Sequence, residues 1–235
     1  MIAVETNDRK KLIIAIDGPS GAGKSSVTKA LADHLGYTHI DTGAMFRVVA
    51  LFAVRTGVVP ADATALASIC SGLTIDFTVA DGVCRVLANG EDVSSAIRSP
   101  EISLLTSIVA AIPAVRNHLL SQQRRLGERG GVVLEGRDIG TVVFPDADIK
   151  FYLTASAEER GRRRFAELKA KGASVTLEQT VIEVIQRDEQ DMTREYAPLR
   201  RAEDAIEIDS TNISLDEVIA LMEGHIHNRE GCCRP

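Results

Sequence analysis

The stretch Gly18-Pro19-Ser20-Gly21-Ala22-Gly23-Lys24-Ser25 decides how this chain is read. It fits the pattern G-x-x-x-x-G-K-[ST], which cradles phosphates when it lies between a strand and a helix. Both neighbours are present: Leu12 to Ile16 is a β-branched apolar run, and Lys24 to Leu35 has helical periodicity. The glycines allow the backbone to curl so that successive N–H groups face phosphate oxygens, and the helix that follows adds its positive end. Lys24 is placed to reach the β and γ phosphates of a nucleotide, with Ser26 continuing the loop. The Ser25 hydroxyl is the expected Mg²⁺ ligand, since Mg²⁺ prefers small oxygen donors and keeps water and phosphate for the rest of its shell.

Outward from this loop, strand and helix signals alternate. A strand at Tyr37 to Ile40 leads into Asp41-Thr42-Gly43 and a helix from Ala44 to Arg55, which points to a parallel α/β sheet. Between about Ser71 and Ile97 the pattern changes to short β-prone runs, Leu73 to Val79 and Val83 to Leu87. They are joined at Ala80-Asp81-Gly82, and Asn89-Gly90 adds a hairpin signal, so a small antiparallel insert is expected. Helices follow at Pro100 to Ala111 and Pro113 to Glu128, then strands at Val132 to Leu134 and Ile149 to Leu153. Two more helices span Ala157 to Lys171 and Thr176 to Arg194, and the strand Ala205 to Ile208 and the helix Leu215 to His227 complete the series. Residues 1–11 and 229–235 read as flexible tails.

A phosphate loop by itself covers GTPases, motors, regulators and kinases. The guanine-reading tetrapeptide Asn-Lys-x-Asp of a switch GTPase does not occur in the sequence. Phosphoryl transfer between two phosphorylated substrates calls for arginines that neutralise both, rather than for covalent chemistry. Arg47 and Arg137 sit near strand ends, where ligands of α/β folds bind. Arg187, Asp191 and Arg194 have i, i+4, i+7 spacing and share one helical face, as do Arg160, Arg163 and Arg164. Either set is equally compatible with a solvated face of intrahelical ion pairs.

The blocks that carry more information are Ile16 to Ser25 (IDGPSGAGKS), Asp41 to Arg47 (DTGAMFR), Glu91 to Arg98 (EDVSSAIR), Val109 to Arg116 (VAAIPAVR), Gly136 to Ala147 (GRDIGTVVFPDA), Arg187 to Arg194 (RDEQDMTR) and Asp209 to Thr211 (DST). Through them the chain resembles the bacterial cytidylate kinase family from about Leu12 to Glu223. The resemblance implies a P-loop NTPase three-layer sandwich with a five-stranded parallel sheet, a small antiparallel insert and a helical lid. The core would be 12–70 and 98–228, with the lid at about 155–174, and 71–97 would be a monophosphate-binding insert.

The resemblance also implies that ATP phosphorylates CMP or dCMP, with Mg²⁺ as cofactor. Arg47, Arg137 and Arg187 would hold the acceptor phosphate, and Arg194 would assist at the transferring group. Asp191 would bond the sugar hydroxyl, and Ser107, Arg116 and Asp138 would read the cytosine edge. Arg160, Arg163 and Arg164 would close over ATP. Thr42, Phe46 and Glu135 stand where the family usually has Ser, Tyr and Asp. Thr42 keeps the substrate-side hydroxyl, and Glu135 keeps the charge near the metal water. The rival acceptors in the same scaffold are UMP and AMP, and a nucleotide-switched regulator is the rival from another class. An acceptor phosphate is already anionic, so no histidine is expected to serve as a general base.

Composition narrows the setting. The chain has 235 residues, 45% hydrophobic, enough for a large core, and a net charge of −6 that disfavours nucleic acid as a partner. No run reaches the ~18 apolar residues of a membrane span. Cys70, Cys84, Cys232 and Cys233 form no CxxC pair, so a metal or redox role for them is not indicated. A cytoplasmic monomer is expected.

Overall fold

The computed structural model describes residues 11–80, 83–170 and 172–232. Strands β1 (Ile13–Asp17), β2 (Thr38–Asp41), β6 (Val132–Gly136), β7 (Ile149–Thr154) and β8 (Ile206–Asp209) form one parallel sheet in the order β2-β6-β1-β7-β8. Alternation along β1 shows why helices cover both faces. Ile14 and Ile16 join the cluster with Val27 and Leu31 of α1 (Lys24–Leu35) and Met222 and Ile226 of α8 (Leu215–Cys232), whereas Ala15 faces Ile40, Leu134 and Ile139.

The opposite layer is built on α2 (Thr42–Thr56), whose buried run Ala44 to Leu51 packs with α3 (Ala63–Ser71), α4 (Pro100–Ala110) and α5 (Pro113–Gly127). Pro113, which lacks the N–H needed to continue α4, opens α5, and the two axes meet at 96°. Among the described residues, no single helix is long and apolar enough to cross a membrane. Cys70 is buried within this layer, and burial pushes its thiol up to about 11, which leaves it unreactive at neutral pH.

The antiparallel elements are β3 (Ile75–Ala80), β4 (Val83–Ala88) and β5 (Glu91–Asp92). Asn89 and Gly90 both have positive φ, the turn their dipeptide signals, while Asp81 and Gly82 of the other expected turn lie outside the described residues. This small sheet shares its core with α2 and α5: Ile75, Val86 and Ala88 belong to the same buried cluster. Gln122 of α5 fastens it, donating from Nε2 to Leu73 O at 2.9 Å and accepting Ile75 N–H at 3.0 Å.

Several elements depart from the sequence reading. α3 carried no strong signal, being nine residues long with only Leu66 and Cys70 buried, yet Asp62 caps it by accepting Ala65 N–H at 2.9 Å. Ile139–Val143 forms a π-turn where the apolar run IGTVV gives no helical period. α2 starts at Thr42 because Asp41 is its N-cap. Residues 229–232, expected to be part of a tail, continue α8, whose buried positions Val218, Ile219, Met222 and Ile226 anchor the preceding turns. Lys11, also expected in a tail, is exposed but runs against Gly130, where a Cβ would stand 2.0 Å from the Lys11 carbonyl. Residues 1–10 and 233–235, with Cys233, lie outside the described residues.

Helices α6 (Ala157–Ala170) and α7 (Leu177–Thr193) form a hairpin beyond β7, with Thr176 and Gln179 making a capping box at the start of α7. They pack tightly at Gly161, where a Cβ would lie 2.3 Å from Val181 Cγ2 and 3.0 Å from Val181 Cα. Gly161→Ala therefore forces the helices apart and should destabilise the fold by about 1–3 kcal/mol, read as a lower midpoint in urea. Gly172→Ala, with open space around its Cβ, should lack that packing penalty and show only the strain of its positive φ.

Candidate active site

At the carboxyl ends of β1, β2 and β6 lies a cavity of about 460 Å³. Its floor is the phosphate loop. Gly18 takes φ 147, and a Cβ there would fall 1.9 Å from Leu153 O, so only glycine lets the loop lie against β7. Gly23 caps α1 with φ 93 and offers no side-chain acceptor, which leaves the first N–H groups of the helix available to an anion. Lys24 Nζ donates to Gly18 O at 2.8 Å and Pro19 O at 2.7 Å. Burial holds this ammonium well below the ordinary lysine range, and Arg137 adds to the effect.

Ser25 Oγ donates to Glu135 Oε2 at 2.8 Å, and His39 Nε2 lies 2.9 Å from Glu135 Oε1. Thr42 Oγ1 donates to the Glu135 carbonyl at 2.7 Å, tying the start of α2 to the end of β6. Asp41 both caps α2 and pairs with Arg47, its Oδ2 3.2 Å from Nη1. Opposite, Arg137 donates from Nε to Asp191 Oδ2 at 2.8 Å. Arg194 donates to Ala197 O at 2.7 Å and stands 3.4 Å from Asp191 and 3.8 Å from Asp138. Asp138 and Arg116 form a buried ion pair, and Arg116 stacks 5.1 Å over the Phe46 ring while donating to Ala110 O. Charges thus alternate from Arg137 through Asp191, Arg194 and Asp138 to Arg116.

Burial by itself would raise Asp191, but Arg137, Arg187 and Arg194 together hold it below the usual carboxylate range. Arg187 makes none of the ion pairs that join Arg137, Arg194 and Arg116 to their acids. Its Nε is buried without a hydrogen-bond partner, and burial followed by repulsion from Arg137 lowers its guanidinium to about 10. A buried, unsatisfied cation facing a cavity is expensive unless an anion completes it.

The structure brings Ser20, Gly21, Gly23, Lys24, Ser25 and Ser26 together on the cavity wall with Thr42, Arg47, Ser107, Arg116, Arg137, Asp138, Arg187, Asp191 and Arg194. Gly18, Pro19 and Ala22 lie behind it and contribute backbone. Among the helix α6 arginines, Arg163 and Arg164 line the cavity and Arg160 does not. Arg160 is buried, bonded to Ser20 O at 3.0 Å, Ala155 O at 2.8 Å and Asp188 at 2.5 Å, which makes it a strut between the phosphate loop and both hairpin helices. Sequence reasoning passed over His39, Asp41 and the stacking role of Phe46. Only Asp41 had a local signal, as a helix-capping residue three positions before Ala44.

A phosphate loop facing a partly unneutralised set of buried and half-buried arginines across one cavity defines a P-loop kinase that acts on a small phosphorylated acceptor. A family model described as cytidylate kinase matches residues 14–228, and the chain belongs to that family. A cytidylate kinase of Geobacter sulfurreducens is 61% identical over 222 residues, covering 94% of this chain and 95% of its own. That of Pasteurella multocida is 47% identical over 210 residues, covering 89% and 92%. A solved structure of an uncharacterized protein from Eubacterium ventriosum shares the fold, with a TM-score of 0.51 at 12% identity over 92% of this chain and 99% of that one.

The contribution of the buried Arg116 and Asp138 pair to the fold can be measured. Asp138→Ala leaves Arg116 buried and unpaired and should destabilise the protein by about 3–5 kcal/mol in denaturant titration. Arg116→Met combined with Asp138→Leu should recover most of that stability while CMP-dependent turnover stays lost.

Proposed function

We propose that the chain transfers the γ-phosphoryl group of ATP in line to the phosphate of CMP or dCMP, giving ADP and CDP or dCDP, with the following division of labour. The phosphate loop and the free start of α1 bind the donor triphosphate. Lys24 exchanges its two loop carbonyls for β and γ phosphate oxygens, and Ser26, with Arg163 and Arg164 from α6, supports the nucleotide. Arg47, Arg137 and Arg187 hold the acceptor phosphate. The observation that carries this reading is the buried Nε of Arg187 that lacks a partner, since a bound phosphate supplies the acceptor atoms it lacks.

Arg194 faces the transferring group, and its buried Nη2, also without a hydrogen bond, suits developing negative charge. Asp191 accepts from the sugar hydroxyls. Ser107, Arg116 and Asp138 read the base, where a carboxylate and a guanidinium distinguish an exocyclic amine from a carbonyl. Residues 71–97 act as the monophosphate-binding insert and 155–174 as the lid.

The donor set next to Lys24 fits Mg²⁺. The Ser25 hydroxyl and Glu135 carboxylate are both oxygen donors and lie 2.8 Å apart. Among the described residues no group of three or more His, Cys, Asp or Glu could hold a metal, as suits an ion carried mainly by phosphates and water. Ser25 would bind the ion directly and Glu135 would orient its water. When bound, Mg²⁺ neutralises phosphate charge as it builds up. On this reading the protein works as a cytoplasmic monomer on small nucleotides, without nucleic acid or membrane as partners.

A coupled ADP-release assay with Mg·ATP and CMP, dCMP, UMP, AMP or GMP in turn tests the reading. CMP and dCMP should support turnover well above the others, and Lys24→Ala should lower kcat by about 10²–10³-fold. Comparable turnover with UMP or AMP would remove the base-reading role of Ser107, Arg116 and Asp138.

A further inference from the structure

Asp17 closes β1 and stands one residue before the phosphate loop. It is 5% exposed and takes no part in the roles assigned above. Its backbone is the register partner of Gly136, the last residue of β6. Its carboxylate accepts the N–H of Ile139 on Oδ1 at 2.8 Å and the N–H of Gly140 on Oδ2 at 2.7 Å. These are the first two donors of the π-turn, which the turn itself cannot satisfy. Arg137 and Asp138 are therefore bracketed, by the strand ladder at Gly136 on one side and by the Asp17 carboxylate at Ile139 on the other.

The bracket has little slack. A Cβ on Gly136 would lie 2.7 Å from Ile139 Cδ1 and 2.8 Å from Thr42 Oγ1, and one on Gly140 would lie 3.0 Å from Lys150 Cδ. Burial pushes Asp17 up to about 6, against the pull of the Gly140 and Ile139 N–H groups. A carboxylate persists in this unfavourable setting because no other side chain of its size offers two acceptor oxygens side by side.

We propose that Asp17 is a positioning residue for the phosphoryl acceptor, locking the Arg137 and Asp138 turn to the root of the phosphate loop so that donor and acceptor subsites keep one separation. The inference rests on the reading of Arg137 and Asp138 as acceptor-holding residues. It assigns Asp17 no contact with either substrate.

The test is Asp17→Asn, which keeps the size and one acceptor oxygen but turns an NH₂ group toward the second backbone N–H. CMP and ATP binding are measured separately by calorimetry. The dissociation constant for CMP should rise about tenfold, equivalent to about 1.4 kcal/mol, while that for ATP changes by less than about threefold. Unchanged CMP binding overturns the proposal. So does equal weakening of both ligands, or of ATP alone, because Asp17 would then act through the loop and Lys24. If Asp17→Asn does not fold, Asp17→Glu keeps the charge and both acceptor oxygens but displaces them by one methylene, and it should weaken CMP selectively; no effect on CMP overturns the proposal. Arg137→Ala, measured in parallel, separates the two levels. If it leaves CMP binding intact, the acceptor reading fails and this inference with it; if it weakens CMP binding while Asp17→Asn does not, this inference alone fails.

Discussion

Everything at the carboxyl edge of this sheet is arranged around the difficulty of gathering buried and half-buried cations in one place. Lys24, Arg116, Arg137, Arg187 and Arg194 converge on a single cavity, and each would be unstable there without a counter-charge. The fold supplies acids in alternation, Asp191 between Arg137 and Arg194, and Asp138 between Arg194 and Arg116. It stops short of complete neutralisation at Arg187. That shortfall is what the proposed phosphorylated ligand would make good, and the alternation holds the arginines in fixed positions.

Backbone geometry supplies the other half of the site. Gly18 lies so close to the Leu153 carbonyl that a side chain could not fit, and Gly23 leaves α1 without a side-chain cap. Both features reduce local stability and both are needed by a loop that binds through N–H groups. The contacts of Arg160 with Ser20 O and Asp188 offset some of that loss by bracing the loop against the helical hairpin.

Much of this was legible in the sequence because it is local. The phosphate loop announces itself through fixed glycines and a lysine, the parallel sheet through alternating strand and helix periods, and the Asn89-Gly90 turn through its need for positive φ. Strand-end positions pointed to Arg47 and Arg137, but the roles of the cavity residues were named from a resemblance, since nothing in the spacing of Arg116 and Arg187 indicates that separate elements bring them together. What stayed hidden depends on tertiary surroundings. The π-turn at Ile139–Val143 exists because a carboxylate from another strand holds its first donors. Arg160 shares a helical face with Arg163 and Arg164, and only packing against the loop and α7 sends its guanidinium elsewhere. The last turns of α8 read as polar tail because a helix can propagate past its own apolar stripe.

The way Gln122 fastens the small antiparallel sheet reaches beyond its two hydrogen bonds. Because Ile75, Val86 and Ala88 are inside the same cluster as α2 and α5, that sheet has no hydrophobic interior of its own to retain if it swings away. It belongs to one cooperative unit with the layer that carries Arg47 and Arg116, and it melts when that layer melts. The α6 and α7 hairpin, by contrast, reaches the cavity through charged contacts, Arg160 to Ser20 O and Asp191 to Arg137, and among the described residues it adds nothing to the buried apolar clusters of the sheet layers.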